Sequence, residues 1–189
     1  MNSLNNFSKS GIRKYICNIR KSLPLKKINK WSFEICKKIE KLDIYLKAKN
    51  IAFYFAKNGE VSLNYLIGKA FLENKKIFLP KTHLKEKTLT FHQIYSFSDL
   101  IPGPFKLLEP PHENPTIKLD KLDLIIVPGV AFDYSRGRIG YGGGFYDRIL
   151  AKTNAFKIGV AFSFQIFEKL PLGLHDQKVD MIITEKEII

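Results

Sequence analysis

The run Leu122–Val127 is apolar at every position but Asp123, and a Pro-Gly pair follows it at once. So short an apolar run, closed by turn residues, suits a strand covered on both faces. Beyond it lies a loop holding Gly129, Gly137, Gly140, Gly142, Gly143 and Gly144, and then a helical pattern over Gly142–Lys152. A buried strand that feeds a helix through a loop restricts the chain to folds built on a parallel sheet.

The rest of the chain agrees. Ser8–Ser22 reads as a basic helix with Ile12, Ile16 and Ile19 as its apolar stripe, and Gly11 loosens its first turn. Pro24 suits the first turn of a second helix reaching Leu42, with Ile28, Trp31, Ile35 and Ile39 on one face. Strands are expected at Asn50–Ala56, Lys76–Pro80 (closed by its proline), Thr88–Gln93, Lys157–Phe162 and Val179–Thr184. Ser62 is the expected N-cap of a helix through Asn74. Ser96–Leu119 carries five prolines and reads as an ordered irregular connection. The expected class is α/β: a mainly parallel sheet flanked by helices in a Rossmann-like three-layer arrangement, preceded by a basic helical segment. At roughly 100–200 residues per domain, 189 residues read as a single domain over 1–189.

Charge narrows the function. The net charge is +13, and residues 1–57 hold 14 basic against 3 acidic residues, so +11 of it sits there. Such a field suits an anionic partner, although a lysine-rich, AT-biased composition yields the same excess. No apolar run nears the ~18 residues of a membrane span. Two cysteines, Cys17 and Cys36, are too few for a disulfide framework and read as reduced thiols of a cytoplasmic protein.

The chemistry concentrates in Val127–Arg148. Its loop exceeds the ~2–6 residues usual between a strand and a helix. The glycines at 140, 142, 143 and 144 let backbone N–H groups converge on an anion, and Arg138 and Arg148 flank them. Asp147 stands where a carboxylate would share Mg²⁺ with phosphate oxygens. Neither G-x-x-x-x-G-K-[ST] nor G-x-G-x-x-G is present, so this is a phosphate loop of another kind, or a flexible turn.

The run Arg138-Ile-Gly-Tyr-Gly-Gly-Gly-Phe-Tyr-Asp147, after Val127-Pro-Gly and Phe132-Asp133, resembles the signature of the 5-formyltetrahydrofolate cyclo-ligase family. Lys9-Ser-Gly-Ile-Arg13 is similar to that family's N-terminal Lys-x-x-x-Arg, and Glu60 to its folate-binding glutamate. Leu170-Pro171, Asp176, Val179-Asp180 and Ile183-Thr184-Glu185 are similar to its C-terminal end. The resemblance implies cyclisation of 5-formyltetrahydrofolate to 5,10-methenyltetrahydrofolate, with ATP and Mg²⁺ required and ADP and phosphate released. It implies ATP contacts from Lys9, Arg13 and the run Arg138, Ile139, Gly140, Tyr141, Gly142, Gly143, Gly144, Phe145 and Tyr146. Folate contacts would come from Arg13, Phe55, Glu60, Tyr141, Gly142, Gly143, Gly144 and Tyr146, with catalytic roles for Arg138 and Tyr146. Asp147 and Asp176 would hold Mg²⁺. The implied partner is a reduced folate, polyglutamated or not, with neither membrane nor nucleic acid, on a monomeric protein.

Each residue keeps a plainer reading. Lys9 and Arg13 also suit a solvated helix face, Phe55 the core, and Glu60 the position before a helix N-terminus. Asp133 reads as a turn residue, and His175 as a surface histidine. Phe145 departs from the family, which has tyrosine there. Two other functions fit parts of the pattern: a basic nucleic-acid-binding module, and a phosphate-handling α/β isomerase. The first would need an RNP, KH or zinc-knuckle motif that the sequence lacks.

Overall fold

The computed structural model describes residues 8–104 and 107–189. Helix α1 (Lys9–Ser22) starts at Ser8, whose Oγ accepts a bond from Gly11 N at 3.2 Å. That cap steadies the turn that Gly11 weakens. Pro24 is the N-cap of α2 (Leu25–Ile39) rather than part of its first turn. The helix ends at Ile39, short of the expected Leu42, and after a turn the chain forms α3 (Asp43–Lys47), which the sequence reading did not anticipate.

Strand β1 (Asn50–Ala52) is shorter than the alternation suggested. Phe53 N still bonds Phe78 O at 2.9 Å, after which the chain leaves the sheet. Helix α4 (Asn64–Leu72) begins after Leu63. Ser62 does not cap it; its backbone N–H goes to Ser32 Oγ at 2.9 Å. Strand β2 (Lys76–His83) runs through Pro80 instead of stopping there. The carbonyl of Phe78 faces β1, so by alternation Pro80 also faces that side, two residues beyond where β1's ladder ends. No ladder bond is lost, which is the setting in which a strand tolerates proline.

Strand β3 (Thr88–Ile94) pairs antiparallel with β2. The proline-rich connection forms a small hairpin, β4 (Ile101–Pro102) with β5 (Leu108–Glu109), and then β6 (Thr116–Ile117), which pairs with β3. The apolar run supplies β7 (Leu124–Pro128). After it come β8 (Ala131–Asp133), β9 (Arg138–Ile139), α5 (Phe145–Leu150), β10 (Phe156–Val160), β11 (Ile166–Phe167) and β12 (Met181–Ile183). Helix α5 is six residues long and starts at Phe145, later than Gly142, because Gly142 and Gly144 have φ of +104° and +68°.

The main sheet has the order β12-β10-β7-β1-β2-β3-β6, and its first five strands are parallel. Leu124 and Ile126 of β7 join the core under α2 and α4, whereas Ile125 and Val127 join the core under α5. All four are fully buried. At ~1.5–3 kcal/mol per buried aliphatic side chain, this strand anchors both layers. The three-layer α/β architecture expected from the sequence is therefore what forms. A second, small sheet, β11-β8-β9, carries α1 through Ile12 and Ile16, which pack with Val130, Ala131, Ile139, Phe167 and Leu170.

Strand β1 leads through α4 to β2 on one side, while β7 leads through α5 to β10 on the other. The order of connection reverses between β1 and β7, and ligands of open α/β sheets bind beyond the carboxyl ends of strands at such a point.

Candidate active site

A cavity of about 800 Å³ opens there. Its size lies within the ~300–1,000 Å³ of small-molecule sites. Tyr54 and Phe55 enter it from the segment after β1, and Pro128 from the end of β7. The loop 140–147 forms one wall and α1 supplies Lys9 and Arg13.

The local geometry explains why these side chains converge. Lys9 and Arg13 are one turn apart on α1. Arg13 Nε donates to Gly140 O at 2.7 Å, and Lys9 Nζ pairs with Asp176. Gly173 N also donates to Asp176 Oδ2, at 2.5 Å. Burial disfavours the Asp176 carboxylate, but Lys9 and the Gly173 N–H outweigh it, so its carboxyl lies below the usual range. Asp147, in the first turn of α5, accepts on Oδ1 from Arg138 Nη2 at 2.7 Å and from Gln177 N at 3.2 Å. The turn carrying Asp176 is thus tied to the helix carrying Asp147.

The glycines work by what they leave out. A Cβ at Gly140 would lie 2.9 Å from Arg138 Nη1, and one at Gly142 would lie 3.4 Å from Arg13 Cζ. Two guanidinium groups therefore press against a backbone stripped of side chains. Arg138 itself is almost wholly buried, with its Nη1 on Pro128 O at 3.2 Å. Among the described residues, its Nε and the hydroxyl of Tyr146 are buried without a hydrogen-bond partner. Orphaned polar atoms at a cavity wall are costly unless a ligand answers them. Arg138 Cζ lies 5.8 Å from the Tyr146 ring centroid. Burial and the nearby Glu60 charge, opposed by Arg138, push the Tyr146 hydroxyl up and keep it protonated.

Beside Tyr141 and Tyr146, Glu60 is 6% exposed. Burial pushes its carboxyl up, while Arg20 and the N–H of Lys57, 3.0 Å from Oε2, pull it down. Phe55 both packs against the core and lines the cavity, so its two readings are compatible.

Of the residues singled out from sequence, Lys9, Arg13, Phe55, Glu60, Arg138, Gly140–Asp147 and Asp176 meet in this cavity. Ile139 does not; it is buried in the core beneath α1, facing Ile12 and Ile16. Asp133 is buried at the end of β8, just before the turn: it accepts from Gly137 N at 2.8 Å and from Leu170 N at 3.0 Å, which fixes β8 to the later chain. His175 sits on the exposed rim. Residues at and behind the cavity wall escaped the sequence reading, Arg20, Glu109 and Thr82 among them. Arg20 follows Lys9 and Arg13 on one helical face, a spacing that could have revealed it. Glu109 and Thr82, bonded at 2.6 Å on the cavity's apolar side, had no local signal.

The donor set fits Mg²⁺. Asp147 and Asp176 supply two carboxylates to one cavity, and this ion takes one or two carboxylates plus phosphate oxygens. Among the described residues no three-member cluster of His, Cys, Asp and Glu could hold a metal, so phosphate oxygens would complete the shell.

Fold and cavity define the class: an α/β enzyme with a cationic, glycine-walled site at the switch point of its sheet. Residues 5–185 match the model of the 5-formyltetrahydrofolate cyclo-ligase family, and the chain belongs to that family. A probable 5-formyltetrahydrofolate cyclo-ligase of Schizosaccharomyces pombe is 34% identical over 181 residues, covering 86% of this chain and 87% of the relative. The Escherichia coli K12 5-formyltetrahydrofolate cyclo-ligase is 32% identical over 146 residues, covering 75% and 80%. The solved 5,10-methenyltetrahydrofolate synthetase of Aquifex aeolicus superposes with a TM-score of 0.85 at 34% identity, over 95% of this chain and 91% of that one.

Proposed function

We propose that this protein closes 5-formyltetrahydrofolate to 5,10-methenyltetrahydrofolate, consuming ATP in the presence of Mg²⁺. Family membership supports the reaction. The observation that carries the site assignment is the meeting of Lys9, Arg13 and Arg138 with the glycine wall and two carboxylates in one cavity that also holds Phe55 and Glu60.

The chemistry asks for such a site. A formamide carbonyl is a weak electrophile, and its oxygen leaves poorly. Transfer of the γ-phosphoryl group to that oxygen yields ADP and an iminium phosphate. Nitrogen 10 then attacks the formyl carbon and loses its proton, and the C–O bond breaks as phosphate departs. No side-chain nucleophile is required; positioning and charge stabilisation suffice.

Lys9, Arg13 and Arg138 hold the phosphates, and the glycine wall lets the formyl oxygen approach them. Glu60 accepts N–H bonds from the pterin edge, and Phe55 covers its face. Tyr146 stays protonated and donates its hydroxyl beside Arg138. Mg²⁺, held by Asp147 and Asp176, would neutralise phosphate charge. Incubating the protein with 5-formyltetrahydrofolate and Mg-ATP, and following methenyl absorbance, tests the reading. No absorbance, or formation independent of ATP, overturns it.

A further inference from the structure

The structure assigns a positioning role to Arg20: its guanidinium holds Glu60 and Tyr141 in the orientation in which both line the cavity. The inference rests on the reading of Glu60 as a folate contact, and adds the residue that makes that contact possible.

Arg20 lies on the last turn of α1 and is 3% exposed. A buried guanidinium needs partners on every side, or its desolvation is uncompensated. Among the described residues the Nε of Arg20 has none, and its Nη groups take theirs from the segments around the site. Arg20 Nη1 donates to Tyr141 Oη at 2.9 Å and lies 3.9 Å from Glu60 Oε1. Its Nη2 donates to Gly129 O at 2.5 Å. One side chain thus joins the segment after β1, the turn after β7 and the glycine wall.

A second feature shows that this approach is built in. Gly59 has φ of +72°, and a Cβ there would lie 3.1 Å from Arg20 O and 3.3 Å from Arg20 Cβ. The turn that presents Glu60 can therefore press directly on α1 only with glycine at 59.

Glu60 is useful as an acceptor only while it is a carboxylate. The groups around it are Arg20 from α1, Lys57 and Tyr54 from the segment after β1, Tyr141 from the glycine wall and Tyr146 from α5. The tyrosines stay neutral, so Arg20 and Lys57 supply the opposing charge, with Arg20 the stronger of the two. Without Arg20, Glu60 would ionise at a higher pH, and Tyr141 would lose its anchor.

The test compares wild type, R20K, R20M, E60Q and the R20M/E60Q double variant. Thermal unfolding checks the fold, and KM and kcat for 5-formyltetrahydrofolate and ATP are measured across the neutral range of pH. R20M is expected to raise the folate KM about tenfold or more, as loss of one partner of a buried charged pair does. The ATP KM should change less, and the acid limb of the folate kcat/KM profile should move to higher pH. R20K should restore that limb without restoring KM, because an ammonium supplies the charge but not the fork. In the E60Q background R20M should add less than about twofold, since coupled groups are not additive. An unmoved acid limb in R20M, or R20M and E60Q effects that multiply, overturns the inference. If E60Q alone leaves the folate KM unchanged, the reading of Glu60 falls instead. Should R20M not fold, R20K decides: a raised folate KM with the limb in place supports the role, and wild-type KM overturns it.

Discussion

Lys9 and Asp176 face each other across 167 positions of sequence. The pair does two things that separate experiments read. In the proposed reaction, Lys9 is a phosphate ligand, so Lys9→Ala should raise the KM for ATP by about tenfold while moving the folate KM less. Unchanged ATP kinetics would remove Lys9 from the site. In the free protein, the pair adds little at neutral pH, about 0–1 kcal/mol for a partly exposed ion pair. The sign of its pH dependence follows from Asp176, whose carboxyl is held below its ordinary value. That contribution is complete above the unfolded value of about 3.9 and fades as pH falls through the lower folded value. The stability gap between wild type and Lys9→Ala should therefore close on acidification. A gap that widens toward low pH, in urea titrations at stepped pH, would contradict it. Cys36 offers a contrast at the same scale. Burial pushes its thiol up to about 12, which makes it inert to alkylation in the folded protein.

At the scale of elements, the glycine wall is the sharpest case. Gly144 has φ of +68° as it enters α5, and a Cβ there would lie 3.2 Å from Arg148 Nη1. Gly144→Ala should cost about 1–2 kcal/mol for a side chain in the left-handed region. In a protein of this size that lowers Tm by roughly 2–8 °C. Calorimetry checks it, and an unchanged Tm would show that the loop relaxes at no cost. The same loop shows what a sequence can and cannot convey. Glycine spacing after an apolar strand announces an anion-sized gap, because only backbone chemistry is involved. The packing of α1 against that gap is not announced, since Arg13, Arg20 and Tyr141 are brought together by a small sheet whose strands are two and three residues long. Lys76–His83 makes the point for boundaries. Proline reads as a terminator there, yet the strand continues because its partner on that side has already ended. Ser62 reads as a cap, but Ser32 from another helix claims its N–H. Periodicity and local chemistry were legible; competition from distant partners was not.

For the whole molecule, charge is the organising quantity. The net charge of +13 surrounds a cavity walled by arginine and lysine, and the proposed substrates are both anions. Such a field raises encounter rates and is screened by salt. Rising ionic strength should lower kcat/KM for Mg-ATP and for the folate, with kcat nearly constant. A salt-independent kcat/KM would show the charge to be compositional. Among its aromatic residues, Phe53, Phe91, Phe132 and Phe162 are buried. Such rings offer no stacking platform to a single strand.

The grip of α1 has a practical corollary. Two isoleucines fasten it to the small sheet, while three of its cations, Lys9, Arg13 and Arg20, reach the loops of the proposed site. Occupancy of the proposed site and attachment of this helix are thus linked equilibria, by mass action. Amide exchange along 9–22 becomes a gauge of ligand saturation, and a bulky fusion partner placed directly ahead of Ser8 would register as weakened nucleotide affinity before any loss of the sheet behind it.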